Sequence, residues 1–227
     1  MPDATTAPHS QTLSRGIRVL EVLAESPLSI GALARALGVH RSIVYRILRT
    51  LEDHGLVSRD AAGVVSLAPR MATLARGVER DLQATALPEL TAAANDLGMT
   101  AFLVVLDRTE CVTLLSVEPR AGATIAQRPG TRHSLSVGAP GIAIQSLLTD
   151  AQLTDHGVGS RRALNPRGWA ASHDEVIRGL SSVAVPLAVP GCPASALAVV
   201  FVAGPQEDAA VGARLIATRN SIVAAAS

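Results

Sequence analysis

Hydrophobic residues recur every three or four positions through the first hundred residues, then in short unbroken or alternating runs beyond Gly98. The first texture predicts helices and the second predicts strands. Ile17, Leu20 and Leu23 lie on one side of a helix expected from about Ser14, a plausible N-cap, to Glu25, with Ser26 and Pro27 ending it. A second helix is expected from near Ser29, burying Ile30, Leu33, Ala34 and Leu37, and stopping at Gly38. A third runs to about His54 and Gly55 closes it. LVSRD, a turn at Ala61 to Gly63, and VVSLAP then predict a two-stranded hairpin. Such a hairpin is too small to stand alone and must lean on the helices. A helical pattern follows from Arg70 to Leu87, is ended by Pro88, and resumes from Glu89 to Leu97. Met71, Leu74, Val78 and Leu82 form a stripe along it that either packs on its own domain or carries dimer contacts. Beyond Gly98, TAFLVVLD, CVTLLSVE, ATIAQ, VIRGLSSVAVPLAV and SALAVVFVAG read as strands, GAPGIAIQSLL as a helix, and ARLIATRNSIVAAAS as a closing helix. A mixed sheet with helices on its faces is expected, an arrangement that commonly encloses a small-molecule cavity.

The stretch Ser29–Gly55 carries the sharpest chemical signal. At about 100° per residue, Arg41, Ser42, Tyr45, Arg46 and Arg49 fall within an arc of roughly 140° on the third helix. Ile43, Val44, Ile47, Leu48 and Leu51 fill the opposite side. A helix greasy on one face and rich in hydrogen-bond donors on the other can pack on a small core while presenting those donors to nucleic acid. The alternative is a solvated helix face. Arg59, in the hairpin, either meets a phosphate or the minor groove or stands in solvent, whereas Arg15 and Arg18 fit solvent better.

Composition narrows the picture. At 227 residues and 48% hydrophobic, the chain has room for two modest domains and is too apolar to be disordered for most of its length. No apolar run reaches the roughly 18 residues of a membrane span, and MPDATTAPHSQT lacks the basic start and greasy centre of a signal peptide. A soluble, cytoplasmic protein with no membrane partner is expected. Net charge is +1, with ten arginines against seven acids in residues 1–80 (+3) and ten against twelve in residues 81–227 (−2). All twenty basic residues are arginine, which a GC-rich genome explains more cheaply than function does. Cys111 and Cys192 read as two separate thiols, and neither a CxxC nor an HExxH motif advertises a metal site. No cofactor is expected. His133 beside Ser134, and His173 beside Asp174, suggest pieces of a hydrolase triad, but adjacent residues rarely face one another in catalytic geometry and no G-x-S-x-G elbow is present. Trp169, the single tryptophan, reads as a packing anchor, with a ligand platform as the alternative.

The chain resembles the IclR family of bacterial transcription regulators. The match begins at SRGIRVLEVLAESPLSIGALARALGVHRSIVYRILRTLEDHGLV and continues through VSLAPRMATLARGV. It extends, less strongly, through RHSLSVGAPGIAIQSLL, RGWAASHDEVIRGLSSVAVPL and VVFVAGP. The resemblance implies an α+β protein of two domains. A disordered tail (1–11) would precede a winged helix-turn-helix DNA-binding domain (12–69). A linker helix (70–88) would lead to a GAF-like mixed α/β domain (89–227) for effector binding and oligomerisation. It also implies a homodimer or homotetramer on a double-stranded operator, with Arg41, Ser42, Tyr45, Arg46, Arg49 and Arg59 at the DNA.

By the same resemblance a small organic effector would meet Gly138 and Ala139 at the start of a central helix, Ser172 and Asp174 near an acidic pocket position, and Ser182 where some relatives place a cysteine. For Gly138 and Ala139 a tight strand-to-helix turn is an equal reading; for Ser172 and Asp174 it is an exposed loop, and for Ser182 a core hydroxyl bonded to backbone. Phe201 and Ala203 stand where acid-binding members carry serines, which implies a more apolar cavity. Only a dozen residues separate Leu148 from Arg161, where relatives usually carry a longer helical insertion that would shape one pocket wall. Two other functions compete: a small-molecule enzyme with an N-terminal interaction module, and a ligand-independent DNA-binding protein. No matched acid, base or nucleophile favours the enzyme.

Overall fold

A computed structural model describes residues 10–122, 125–202 and 208–226. Of the expected tail, residues 1–9 lie outside the described residues, as does Ala203. The chain divides into two compact units, one ending at Val78 and the other beginning at Glu79.

In the first unit α1 (Gln11–Glu25) starts three residues before the expected position, because the Ser10 hydroxyl accepts from the Leu13 amide and caps it. Its buried line is Gly16, Val19 and Leu23, leaving Ile17, expected inside, exposed. Ser29 caps α2 (Ile30–Leu37), and Gly38, left-handed at φ 64°, ends it. His40 caps α3 (Arg41–Asp53). Val19, Leu23, Leu33, Val44, Leu48 and Val65 form the shared core. The wing gains a strand that the sequence reading lacks. Besides β2 (Val57–Arg59) and β3 (Val64–Leu67), β1 (Leu28–Ser29) pairs with Val64 and Val65, giving the antiparallel order β1-β3-β2. The turn is closed by Asp60, whose carboxylate accepts from the Val64 amide at 2.8 Å.

The stretch 70–88 is not one helix. α4 (Arg70–Ala75) ends before a turn, and α5 (Arg80–Leu97) starts after Glu79, whose φ of 45° breaks the run. Pro88, expected as a break, lies inside α5. An interior proline costs about 3 kcal/mol; burial of Leu82, Ala86, Leu90, Ala93 and Ala94 on the same helix outweighs it.

The second unit is built on six strands: β4 (Thr100–Asp107), β5 (Glu110–Val117), β6 (Arg132–Ser134), β7 (Ala170–His173), β8 (Leu180–Leu187) and β9 (Ser195–Val202). Among the described residues every pairing is antiparallel, in the order β6-β5-β4-β9-β8-β7, so the expected mixed sheet is corrected to an antiparallel one. The described part of the expected strand ATIAQ is coil, and β6 takes the edge instead. Strand alternation gives the sheet two apolar faces. Leu103, Val183, Val185, Leu197 and Val199 pack beneath α5 and α8 (Asp208–Ala225). Phe102, Ala184, Ala198 and Val200 pack with α6 (Gly138–Gln145). α6 is buried along its whole length, and Gly141 lets it approach the preceding turn. The short segment after Leu148 holds α7 (Asp150–Asp155), closed by a capping box between Thr149 and Gln152. Arg161 ties it down by donating to the Gln145 and Leu148 carbonyls and to Asp150.

Candidate functional site

On the first unit, burial of Val44, Ile47 and Leu48 fixes which side of α3 faces out. Arg41, Ser42, Tyr45, Arg46 and Arg49 are all exposed on it. Their surroundings differ. The Arg41 guanidinium lies against α2, within 2.9 Å of where a Cβ on Gly31 would stand. Ser42 is bound into the helix start, its hydroxyl 2.8 Å from His40 Nδ1, which also accepts from the Ser42 amide. Arg59 donates to Glu52 at 3.0–3.1 Å and lies 5.6 Å from the Tyr45 ring centre, so the wing is fastened to α3. Arg46 and Arg49 have no ion pair among the described residues. Arg41, although it lies against α2, has no ion pair among the described residues either, so all three arginines of this face keep their donors unpaired.

On the second unit, a cavity of about 90 Å³ opens between the sheet, the start of α6 and the loop joining β7 to β8. Phe102, Pro140, Val176, Ile177, Leu180 and Val200 make its apolar wall. Gly138, Ser172 and Ser182, all expected at a ligand, do line it. Ala139 does not; it is fully buried and its amide donates to Ser172 Oγ at 2.9 Å. Asp174 instead shapes the loop, with φ 60° and its carboxylate accepting from the Gly179 amide. Phe201 belongs to the other core, under α5 and α8. The sheet's alternation turns Val200 to the cavity and Phe201 away from it. No residue from Leu148 to Arg161 lines the cavity, so the shortened segment shapes the far end of α6 rather than this wall.

The cavity's most important polar residue, Glu175, was missed by sequence reasoning. Its Oε2 accepts from the Gly138 amide at 2.9 Å, and both carboxylate oxygens accept from Arg162 at 2.6 and 2.7 Å. The Arg162 hydrogen bonds hold its carboxyl below the usual carboxylate range. Arg132 is similarly spent, on Asp107 and Glu110 at 2.9 and 2.7 Å. His133 is pushed down from its ordinary value by burial, and its Nδ1 donates to the Ser134 carbonyl at 3.2 Å. Ser182 Oγ is buried without a hydrogen-bond partner, so the backbone-bonded hydroxyl that competed with the ligand reading is not what this serine makes.

Neither histidine pair forms the arrangement that adjacency suggests. His133 bonds to the Ser134 carbonyl rather than its hydroxyl. His173 joins Ser181 Oγ at 2.9 Å to Asp208 at 3.2 Å, fastening β8 to the start of α8. Ser181 is only 2% exposed, which leaves its hydroxyl little room to meet a substrate. Trp169 packs on α8, where Gly212 makes room for its ring. Cys111 is fully buried and its thiol is pushed up to about 12 by that burial, while Cys192 is half-buried; both are free thiols. Among the described residues no group of three or more His, Cys, Asp or Glu could hold a metal ion, and no helix is long and apolar enough to cross a membrane.

Residues 12–61 match the IclR helix-turn-helix domain. Over 197 residues the chain is 28% identical to the Cupriavidus necator protein named "Probable transcriptional regulator SauR", covering 76% of this chain and 78% of that one. An IclR transcriptional regulator from Alicyclobacillus acidocaldarius superimposes with a TM-score of 0.81 at 25% identity, over 97% of this chain and all of that one. An IclR homologue from Microbacterium hydrocarbonoxydans, solved with 4-hydroxybenzoate, shares the fold at a TM-score of 0.81 and 18% identity, over 94% and 98% of the two chains.

Proposed function

Since the chain belongs to the IclR family of transcriptional regulators, we propose that it reads operator DNA through the exposed face of α3 and adjusts that affinity when a small organic molecule enters the C-terminal cavity. The observation that carries the first half is the set Arg41, Arg46 and Arg49, exposed and without ion pairs among the described residues, on a helix whose other side is locked into the core. Arginine can make bidentate contacts with guanine O6 and N7, while Tyr45 and Ser42 suit phosphates. Two half-sites need two such helices, so the active species is a homo-oligomer on a roughly palindromic site.

The second half is supported by the cavity at the start of α6 and by the fold shared with a protein that holds 4-hydroxybenzoate. A ligand changes operator affinity only if it binds the competent and incompetent arrangements unequally. Anisotropy titration of a labelled operator tests both halves. Arg46→Ala should weaken binding by about 1–3 kcal/mol if the residue reads a base. Unchanged affinity in a folded variant removes that assignment. The competing enzyme reading draws no support from the cavity, whose carboxylate Glu175 is paired with Arg162 and whose guanidinium Arg132 is paired with Asp107 and Glu110.

A further inference from the structure

We propose that the C-terminal cavity selects uncharged, mainly apolar molecules carrying a hydroxyl group, and that Glu175 is the residue that turns carboxylates away. The proposal rests on reading this cavity as the effector site and specifies what that site accepts.

A helix start attracts anions because its first amides lack partners and the helix dipole places partial positive charge there. At α6 that attraction is already satisfied from within. Glu175 accepts from the Gly138 amide at 2.9 Å, and Ser172 Oγ accepts from the Ala139 amide at 2.9 Å. The same carboxylate occupies both arms of Arg162, at 2.6 and 2.7 Å. One internal carboxylate therefore takes both features that would draw in a ligand's carboxylate. A second would meet a like charge and find the nearby guanidinium engaged. Arg132, the guanidinium that lines the cavity, is held by Asp107 and Glu110 at 2.9 and 2.7 Å.

What remains uncommitted is neutral. Ser182 Oγ is buried with no partner, a costly state that a ligand hydroxyl would relieve. His133 uses Nδ1 on the Ser134 carbonyl, which leaves Nε2 of a neutral ring as an acceptor. Gln127, whose Nε2 donates to Thr113 Oγ1 at 2.7 Å, and Thr131 add further neutral polar groups, and Phe102, Leu180 and Val200 supply hydrocarbon. Val176 and Ile177, in the same loop as Glu175, line the mouth while 53% and 56% exposed, so an apolar guest would cover them.

Isothermal titration calorimetry of the full chain with benzyl alcohol and with benzoate tests this directly. Benzyl alcohol is expected to bind at least tenfold more tightly. Glu175→Gln should shrink that ratio tenfold or more by tightening benzoate, and Ser182→Ala should weaken benzyl alcohol several-fold. Tighter binding of benzoate by the wild type, no binding of benzyl alcohol, or an unchanged ratio in a folded Glu175→Gln protein would overturn the proposal. The wild-type comparison decides even if the variant does not fold. Operator titrations with each compound keep the two readings apart. Benzoate that binds more tightly and shifts operator affinity overturns the selectivity and leaves the effector reading standing. Benzyl alcohol that binds preferentially in the cavity without any shift counts against the effector reading and leaves the selectivity standing.

Discussion

Arg41, Arg46, Arg49 and Arg59 are one residue type on one small unit, yet their neighbours give them different work. Arg59 is held by Glu52 and Tyr45, and Arg41 leans on α2 beside Gly31. A half-exposed pair such as Arg59–Glu52 contributes about 0–1 kcal/mol to stability. Larger losses in operator affinity are therefore expected from Arg46→Ala and Arg49→Ala than from Arg59→Ala. The arc of five polar residues on α3 was legible because helical periodicity places them from sequence alone. Glu175 was not: its partners Gly138 and Arg162 are 37 and 13 residues away, and no local pattern announces a contact made by tertiary folding. Ser182 shows the same limit, since only the folded sheet reveals that its hydroxyl has no partner. His133 offers a check by pH. Burial lowers its value in the folded state, so between that value and the unfolded one, about 6.5, the unfolded chain binds more protons. Its contribution is present above about pH 6.5 and is lost as pH falls through the folded value. Melting temperatures followed from pH 8 to pH 5 should fall less steeply for His133→Gln than for the wild type.

At the scale of elements, α6 depends on close approach to the backbone before it. A Cβ at Gly141 would stand 2.5 Å from the Leu135 carbonyl oxygen, a backbone atom that cannot swing aside. Gly141→Ala should destabilise the protein by about 1–3 kcal/mol, a typical overpacking cost. Gly159→Ala, with nothing within 4 Å of the added atom, is the matched control and should be near neutral in a denaturant titration. Strand alternation likewise decides the ligand wall: the sequence reading placed Phe201 there, and one residue of register gives that place to Val200. Helix and hairpin periods were readable in the first unit, where helical contacts and short connections dominate. The two-residue strand β1 and the break at Glu79 were not, because each answers to tertiary pairing or a single backbone angle rather than a repeating pattern.

At the scale of the whole molecule, one unit presents arginine donors and the other encloses a small, mainly apolar cavity. Under the proposed function these would be output and input, and a ligand would couple them only by binding two arrangements of the protein unequally. On this proposal α3 reads a specific operator. Selection of bound duplexes from a random DNA pool by the full chain, with sequencing of the enriched fraction, is the decisive experiment. The wild type should enrich a two-half-site inverted repeat, and the Arg46→Ala/Arg49→Ala protein, folded to the same melting temperature, should not. No enriched motif with the wild type, or the same motif at equal strength with the variant, would show that α3 does not read an operator.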